Sequence, residues 1–128
     1  MHESTEKITG PGGRVCMYDR TIGCRSGNVV YGVMCNVCKC VIYVGETGGM
    51  LYQRLQNHMS SIRCRRMEME VAAHFNAPGH SITDVSFIGL EKVWKNWTAY
   101  RRVKEQRWVE FLGTCCKAGS GGLNKKTA

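Results

Sequence analysis

Glu105, Trp108, Val109 and Leu112 stand at i, i+3, i+4 and i+7, the spacing that places four side chains on one face of a helix. Three are large and apolar, and the fourth is a carboxylate. An ionised carboxylate among apolar groups must be paired, solvated at a cleft or bound to a cation. Arg101, one turn earlier, offers an ion pair, although helices favour the acid ahead of the base. Arg54 and His58 are also four residues apart, at the edge of the face that carries Leu51 and Leu55. A guanidinium there presents a fixed fork of donors suited to phosphate oxygens; the plainer alternative is a solvated helix edge. Tyr31 and Tyr43 fall in two neighbouring β-prone segments, where each alone reads as a half-buried strand tyrosine. Cys35 and Cys38 are separated by two residues, His74 and His80 by five. Two thiolates and two imidazoles complete a tetrahedral zinc set, with Cys40 as a rival ligand. The alternative is two buried thiols and two surface histidines.

These groups need elements to position them. Val29, Val30, Tyr31 and Val33 make residues 28–35 a strand, residues 36–39 a turn, and residues 40–45 a second strand, paired antiparallel with the first. Glu46-Thr47-Gly48-Gly49 breaks the sheet. Leu51, Leu55, Met59 and Ile62 recur at the helical period, which predicts a helix over 49–62. Residues 63–70 form a charged connection, 71–75 a short helix stopped by Asn76-Ala77-Pro78-Gly79, 84–93 a third strand, and 96–113 a final helix. Residues 1–27 show no sustained period and read as an N-terminal linker or extension; 28–126 is the domain. The expected fold is α+β: a small three-stranded antiparallel sheet flanked by helices, with an inserted zinc-binding element.

The chain has 128 residues, room for one compact domain, and 43% hydrophobic residues, enough to build a core. Its longest apolar run, Cys40-Val41-Ile42-Tyr43-Val44, is far short of a membrane span. Residues 1–6 lack the apolar stretch of a secretory signal. Eight clustered cysteines without such a signal suggest reduced thiols in an intracellular compartment, some of them holding metal. A net charge of +8 suits a polyanionic partner.

Val29-Val30-Tyr31 and Tyr43-Val44-Gly45, followed in order by Glu46-Thr47-Gly48, Arg54, Glu105 ahead of Trp108-Val109, and Gly122-Leu123-Asn124, make the chain resemble the GIY-YIG nuclease family. Val29 departs from the family's glycine, at a position that contributes backbone rather than chemistry. With the Cys/Cys/His/His set added, the resemblance is to the zinc-containing endonuclease domain of Penelope-like retroelements. It implies a metal-dependent DNA endonuclease of the nucleus, following a reverse transcriptase in the same polyprotein and nicking target DNA for target-primed reverse transcription.

The resemblance further implies that Glu105 holds one Mg²⁺ or Mn²⁺, that Arg54 binds the scissile phosphate, and that Tyr31 or His58 is the general base. Tyr43 then orients water or phosphate, and Asn124 closes the site. Nearby cations should depress the phenol of Tyr31. Arg63, Arg65, Arg66, Arg101, Lys125 and Lys126 would contact the phosphate backbone. The competing expectations are a zinc-stabilised DNA-binding module without catalysis, and a structure-specific repair nuclease of the same fold.

Overall fold

The computed structural model describes residues 22–94 and 97–112, together with the backbone of two strands near the N-terminus. Those strands, β1 (Thr5–Thr9) and β2 (Val15–Asp19), pair antiparallel, Thr5 opposite Asp19. The segment read from sequence as a linker therefore contains a two-stranded ribbon, and its second strand runs close to β5 (Val85–Lys92). No clear alternation of apolar and polar residues marks these strands, which is why they escape a reading by period.

The main sheet has three antiparallel strands in the order β4-β3-β5, with β3 (Val29–Cys35) central and β4 (Cys40–Thr47) at one edge. Lys39 takes a left-handed conformation (φ 59°) and returns its amide to the Cys35 carbonyl at 2.7 Å, closing the turn between β3 and β4. A bulge near Met34 admits Ile42 as an extra residue on β4, bending the edge strand. Helix α1 (Leu51–Arg63) starts without a side-chain cap. Its first free amides, those of Leu51 and Tyr52, donate instead to the carbonyls of Ser26 and Cys24. Helix α2 (Glu70–Phe75) follows, then a single 3-10 turn (Ile82–Asp84) with a capping box at Ser81, then β5 and helix α3 (Thr98–Leu112).

Side chains alternate along β3 between two cores. Val29, Tyr31, Val33 and Cys35 face Leu51, Ile62, Val71, Ala72 and Phe75 of α1 and α2. Val30 faces the opposite way, joining Val44, Leu90 and Trp108, Val109 and Leu112 of α3. The architecture is the α+β one expected, a three-stranded antiparallel sheet with three helices. Among the described residues no helix is long and apolar enough to cross a membrane.

Candidate functional site

Tyr31 lies on the central strand, 1% exposed, with a glycine opposite it on each side: Gly45 on β4 and Gly89 on β5. A Cβ at Gly45 would stand 2.5 Å from both Cζ and Oη of Tyr31. The phenol thus lies across the floor that only glycine leaves open. Its Oη is 2.8 Å from Nε2 of His58, which α1 delivers from above. The His58 ring, 8% exposed, is walled by Tyr31, Tyr43 and Phe87, with ring centroids 5.7, 5.6 and 6.2 Å away. Burial, reinforced by the Arg54 guanidinium, lowers the imidazole pKa to about 4. The ring is therefore neutral at pH 7, and in the tautomer that carries its proton on Nδ1 its Nε2 accepts from the Tyr31 hydroxyl.

The remaining members surround this pair. Arg54 is exposed on α1, and its guanidinium acts on the Tyr31 hydroxyl. Burial nonetheless raises the Tyr31 pKa, with Tyr43 adding to the rise and Arg54 opposing it. Burial thus outweighs the depression expected from nearby cations, because the phenolate would lie in an apolar layer. Tyr43 is raised as well, first by burial and then by Glu105, against the pull of Arg54. Glu105 is half-buried on α3, and its pKa rises to about 7 through burial and the neighbouring Glu46, offset by Arg102 and Arg54. Tyr31, Tyr43, Arg54, His58 and Glu105 are thus one electrostatic cluster, assembled from two strands and two helices.

Arg101 does not take the part expected of it. Its Nε donates to Glu46 Oε1 at 2.7 Å, Nη1 to Asn28 Oδ1 at 3.2 Å and Nη2 to Thr98 Oγ1 at 3.2 Å. With its side chain 9% exposed, it is a buried tie between α3 and the sheet, neither the partner of Glu105 nor a surface contact for phosphate. Gly48 makes room for it, since a Cβ there would meet the guanidinium at 2.8 Å. Arg63 at the end of α1 and Arg65 and Arg66 just beyond it are exposed as expected, with Arg65 Nη1 donating to Asn76 Oδ1 at 3.0 Å. Asn124, Lys125 and Lys126 lie outside the described residues.

Cys35, Cys38, His74 and His80 meet at the far end of the β3–β4 hairpin, their four ligand atoms within 4.8 Å of one another. Cys38 Sγ is 3.7 Å from His74 Nε2 and 3.5 Å from His80 Nε2. A tetrahedral ion with ordinary zinc bond lengths separates sulfur from nitrogen by about 3.6 Å, so the donor set fits such an ion. The Cys38 amide points at Cys35 Sγ from 3.3 Å, and His80 Nδ1 lies 3.3 Å from the Pro78 carbonyl, a partner that fixes a ligating imidazole. Desolvation and the neighbouring thiols push Cys38 up to about 11. Cys40 stays out of this group and packs against the core. The four residues could hold a metal such as zinc.

No protein-family model, curated protein or solved structure matches the chain.

What the sequence reading missed is mostly long-range. The Arg101–Glu46 tie spans 55 residues, and Phe87, which closes the His58 pocket, comes from β5. Helical spacing reveals only partners three or four residues away. One local signal was available: the glycine after Tyr43-Val44 announces a close approach.

Proposed function

We propose that the chain is a metal-dependent DNA endonuclease that hydrolyses phosphodiester bonds. The observation that carries this reading is the hydrogen bond between the Tyr31 hydroxyl and Nε2 of neutral His58, inside a cluster that also holds Arg54, Tyr43 and the carboxylate of Glu105. No ion pair among the described residues involves Glu105, so a half-buried carboxylate is left to meet a cation. A divalent cation there supplies Lewis-acid stabilisation of charge on the phosphate.

The chain's own residues do the rest. Arg54 neutralises the scissile phosphate and stabilises its added charge as water attacks phosphorus. Tyr31 takes a proton from that water while passing its own to Nε2 of His58, so the high pKa of the buried phenol is no obstacle: no free phenolate is required. This relay assigns the terminal base to His58 and the contact with water to Tyr31. Tyr43 orients the water. The bond to the 3′ oxygen breaks, that oxygen takes a proton from solvent, and the products carry a 5′ phosphate and a 3′ hydroxyl. A 3′ hydroxyl is a primer end, which agrees with the resemblance to the GIY-YIG endonuclease of Penelope-like retroelements, acting in the nucleus beside a reverse transcriptase.

The Cys35, Cys38, His74 and His80 group holds structural Zn²⁺ in this reading, and Arg63, Arg65 and Arg66 contact the DNA backbone. The deciding experiment is cleavage of supercoiled plasmid and of branched DNA with and without Mg²⁺. Nicked plasmid that requires Mg²⁺ and disappears in Glu105→Ala and Tyr31→Phe supports the proposal. Binding without cleavage by the native chain sinks it in favour of a non-catalytic module, and cleavage confined to branched DNA favours a repair nuclease.

A further inference from the structure

Four aromatic or aliphatic side chains near the start of α3 are exposed although none belongs to either core: Trp94 (84%), Trp97 (62%), Tyr100 (38%) and Val103 (48%). The Arg101 amide bonds to the Trp97 carbonyl, so the helical period already holds at Trp97. From there Trp97, Tyr100, Lys104, Arg107 and Phe111 follow at steps of three and four and form one stripe along the helix. It is a different stripe from that of Arg101, Glu105, Trp108 and Leu112, which faces the sheet. Trp94, two residues beyond the end of β5, adds a further exposed indole.

Cations accompany the rings. Lys104 Nζ is 5.6 Å from the centre of the Tyr100 ring and 3.1 Å from Glu91 Oε2. Lys92 Nζ is 5.9 Å from the Trp94 ring and 3.3 Å from the Gly27 carbonyl. A groove of 240 Å³ lined by Glu91, Lys104, Arg107, Trp108 and Phe111 continues the stripe.

We infer that this stripe is a stacking platform for single-stranded nucleic acid. Exposed aromatic rings, two of them beside ammonium groups, match a ligand that offers flat π faces and a phosphate at every step. A duplex offers phosphates but keeps its base faces stacked away, so the rings would find no partner on it. A protein partner fits less well, because interface cores are depleted of lysine, whereas here lysines sit over the rings. The net charge of +8 favours the polyanion. The inference stands on this surface alone, whether or not the Tyr31 cluster hydrolyses anything.

The test uses the whole chain without added divalent metal, so that binding is read apart from cleavage. The probes are an oligothymidylate of roughly a dozen nucleotides, an abasic phosphodeoxyribose strand of the same length, and a duplex. The native chain should show quenched tryptophan emission with oligothymidylate and bind it about tenfold or more tighter than the abasic strand. The double variant Trp94→Ala/Trp97→Ala should lose about tenfold or more for oligothymidylate, and less than about twofold for the abasic strand and the duplex. Trp94→Phe/Trp97→Phe should keep most of the affinity, since phenyl rings still stack. Equal binding of the first two probes by the native chain overturns the inference with no variant needed. So does an unchanged affinity in the double alanine variant, or sedimentation showing a native dimer that this variant abolishes, which would make the stripe a self-interface.

Discussion

Replacing Gly45 by alanine adds one methyl group, and the geometry sets what that does. The new Cβ would stand 2.5 Å from Cζ and Oη of Tyr31 and 2.9 Å from Cε1, where ordinary contact begins near 3.4 Å. The ring must retreat by roughly an ångström. It has no solvent to retreat into, being 1% exposed on the central strand, and a shift of that size breaks the 2.8 Å bond to His58. Overpacking of a dense core costs about 1–3 kcal/mol. Leaving a buried donor and acceptor unmatched adds about 1–3 kcal/mol. The sum, about 2–6 kcal/mol, lowers the melting temperature of a domain this size by on the order of ten degrees or more. Thermal melts followed by circular dichroism measure it, with Gly49→Ala as the control, because a Cβ there finds nothing closer than 3.8 Å. In a Tyr31→Ala background the same Gly45→Ala change should cost less than about 1 kcal/mol, since the clash has gone. A Gly45→Ala melt within a degree or two of native, or an equal loss in both backgrounds, would refute the assignment of Gly45 as the floor beneath Tyr31.

Glu105→Gln should reduce Mg²⁺-dependent nicking by about a thousandfold or more, several kcal/mol of transition-state stabilisation, without lowering the melting temperature. Natively purified protein should carry one equivalent of zinc by elemental analysis, lost in Cys38→Ala and kept in Cys40→Ala. His58 has a folded pKa of about 4 against 6.5 for the ordinary group, so the stability tied to its neutral form is complete above about pH 6.5 and is lost as pH falls towards 4, about 3 kcal/mol in all. Denaturant melts across that range should show a shallower acid loss in His58→Gln than in the native chain. Arg101→Ala should destabilise the protein by about 3 kcal/mol in the same melts, because half-buried Glu46 is left without its cation.

The elements that carry the site were legible because each announces itself locally. The period of Leu51, Leu55, Met59 and Ile62 places a helix over 49–62, and the structure has it over Leu51–Arg63. The β-branched run around Tyr31 and the apolar run around Tyr43 give β3 and β4 nearly to the residue. The Cys/His spacing names the four groups that converge at the hairpin's end. Less legible was anything fixed by packing between distant segments. Arg101 looks like a surface cation or a helical partner of Glu105 until Glu46, Asn28 and Thr98 surround it. The phenol of Tyr31 looks ready to ionise among cations until its burial is known, and burial depends on both neighbouring strands. The β1–β2 ribbon, pairing residues that do not alternate in polarity, leaves no periodic trace at all.

The position of the Cys/His cluster bears on the order in which the chain can fold. β3 and β5 are hydrogen-bonded neighbours, yet Cys35 pairs with Val85 across the whole length of α1 and α2. Closing so long a loop is an entropic barrier to nucleating the sheet, and pairings of this kind fold slowly. His80 lies just before the start of β5, and Cys38 just after the end of β3. Once a metal joins them, the first residue of β5 is held within a few residues of its partner on β3, and a distant pairing becomes a local one. A chain that bound a metal there early would zip the sheet from the Cys35 end towards Tyr31. A chain deprived of metal would have to find the same register by an unguided search, with two tyrosine-bearing strands exposed meanwhile to pairing with other molecules.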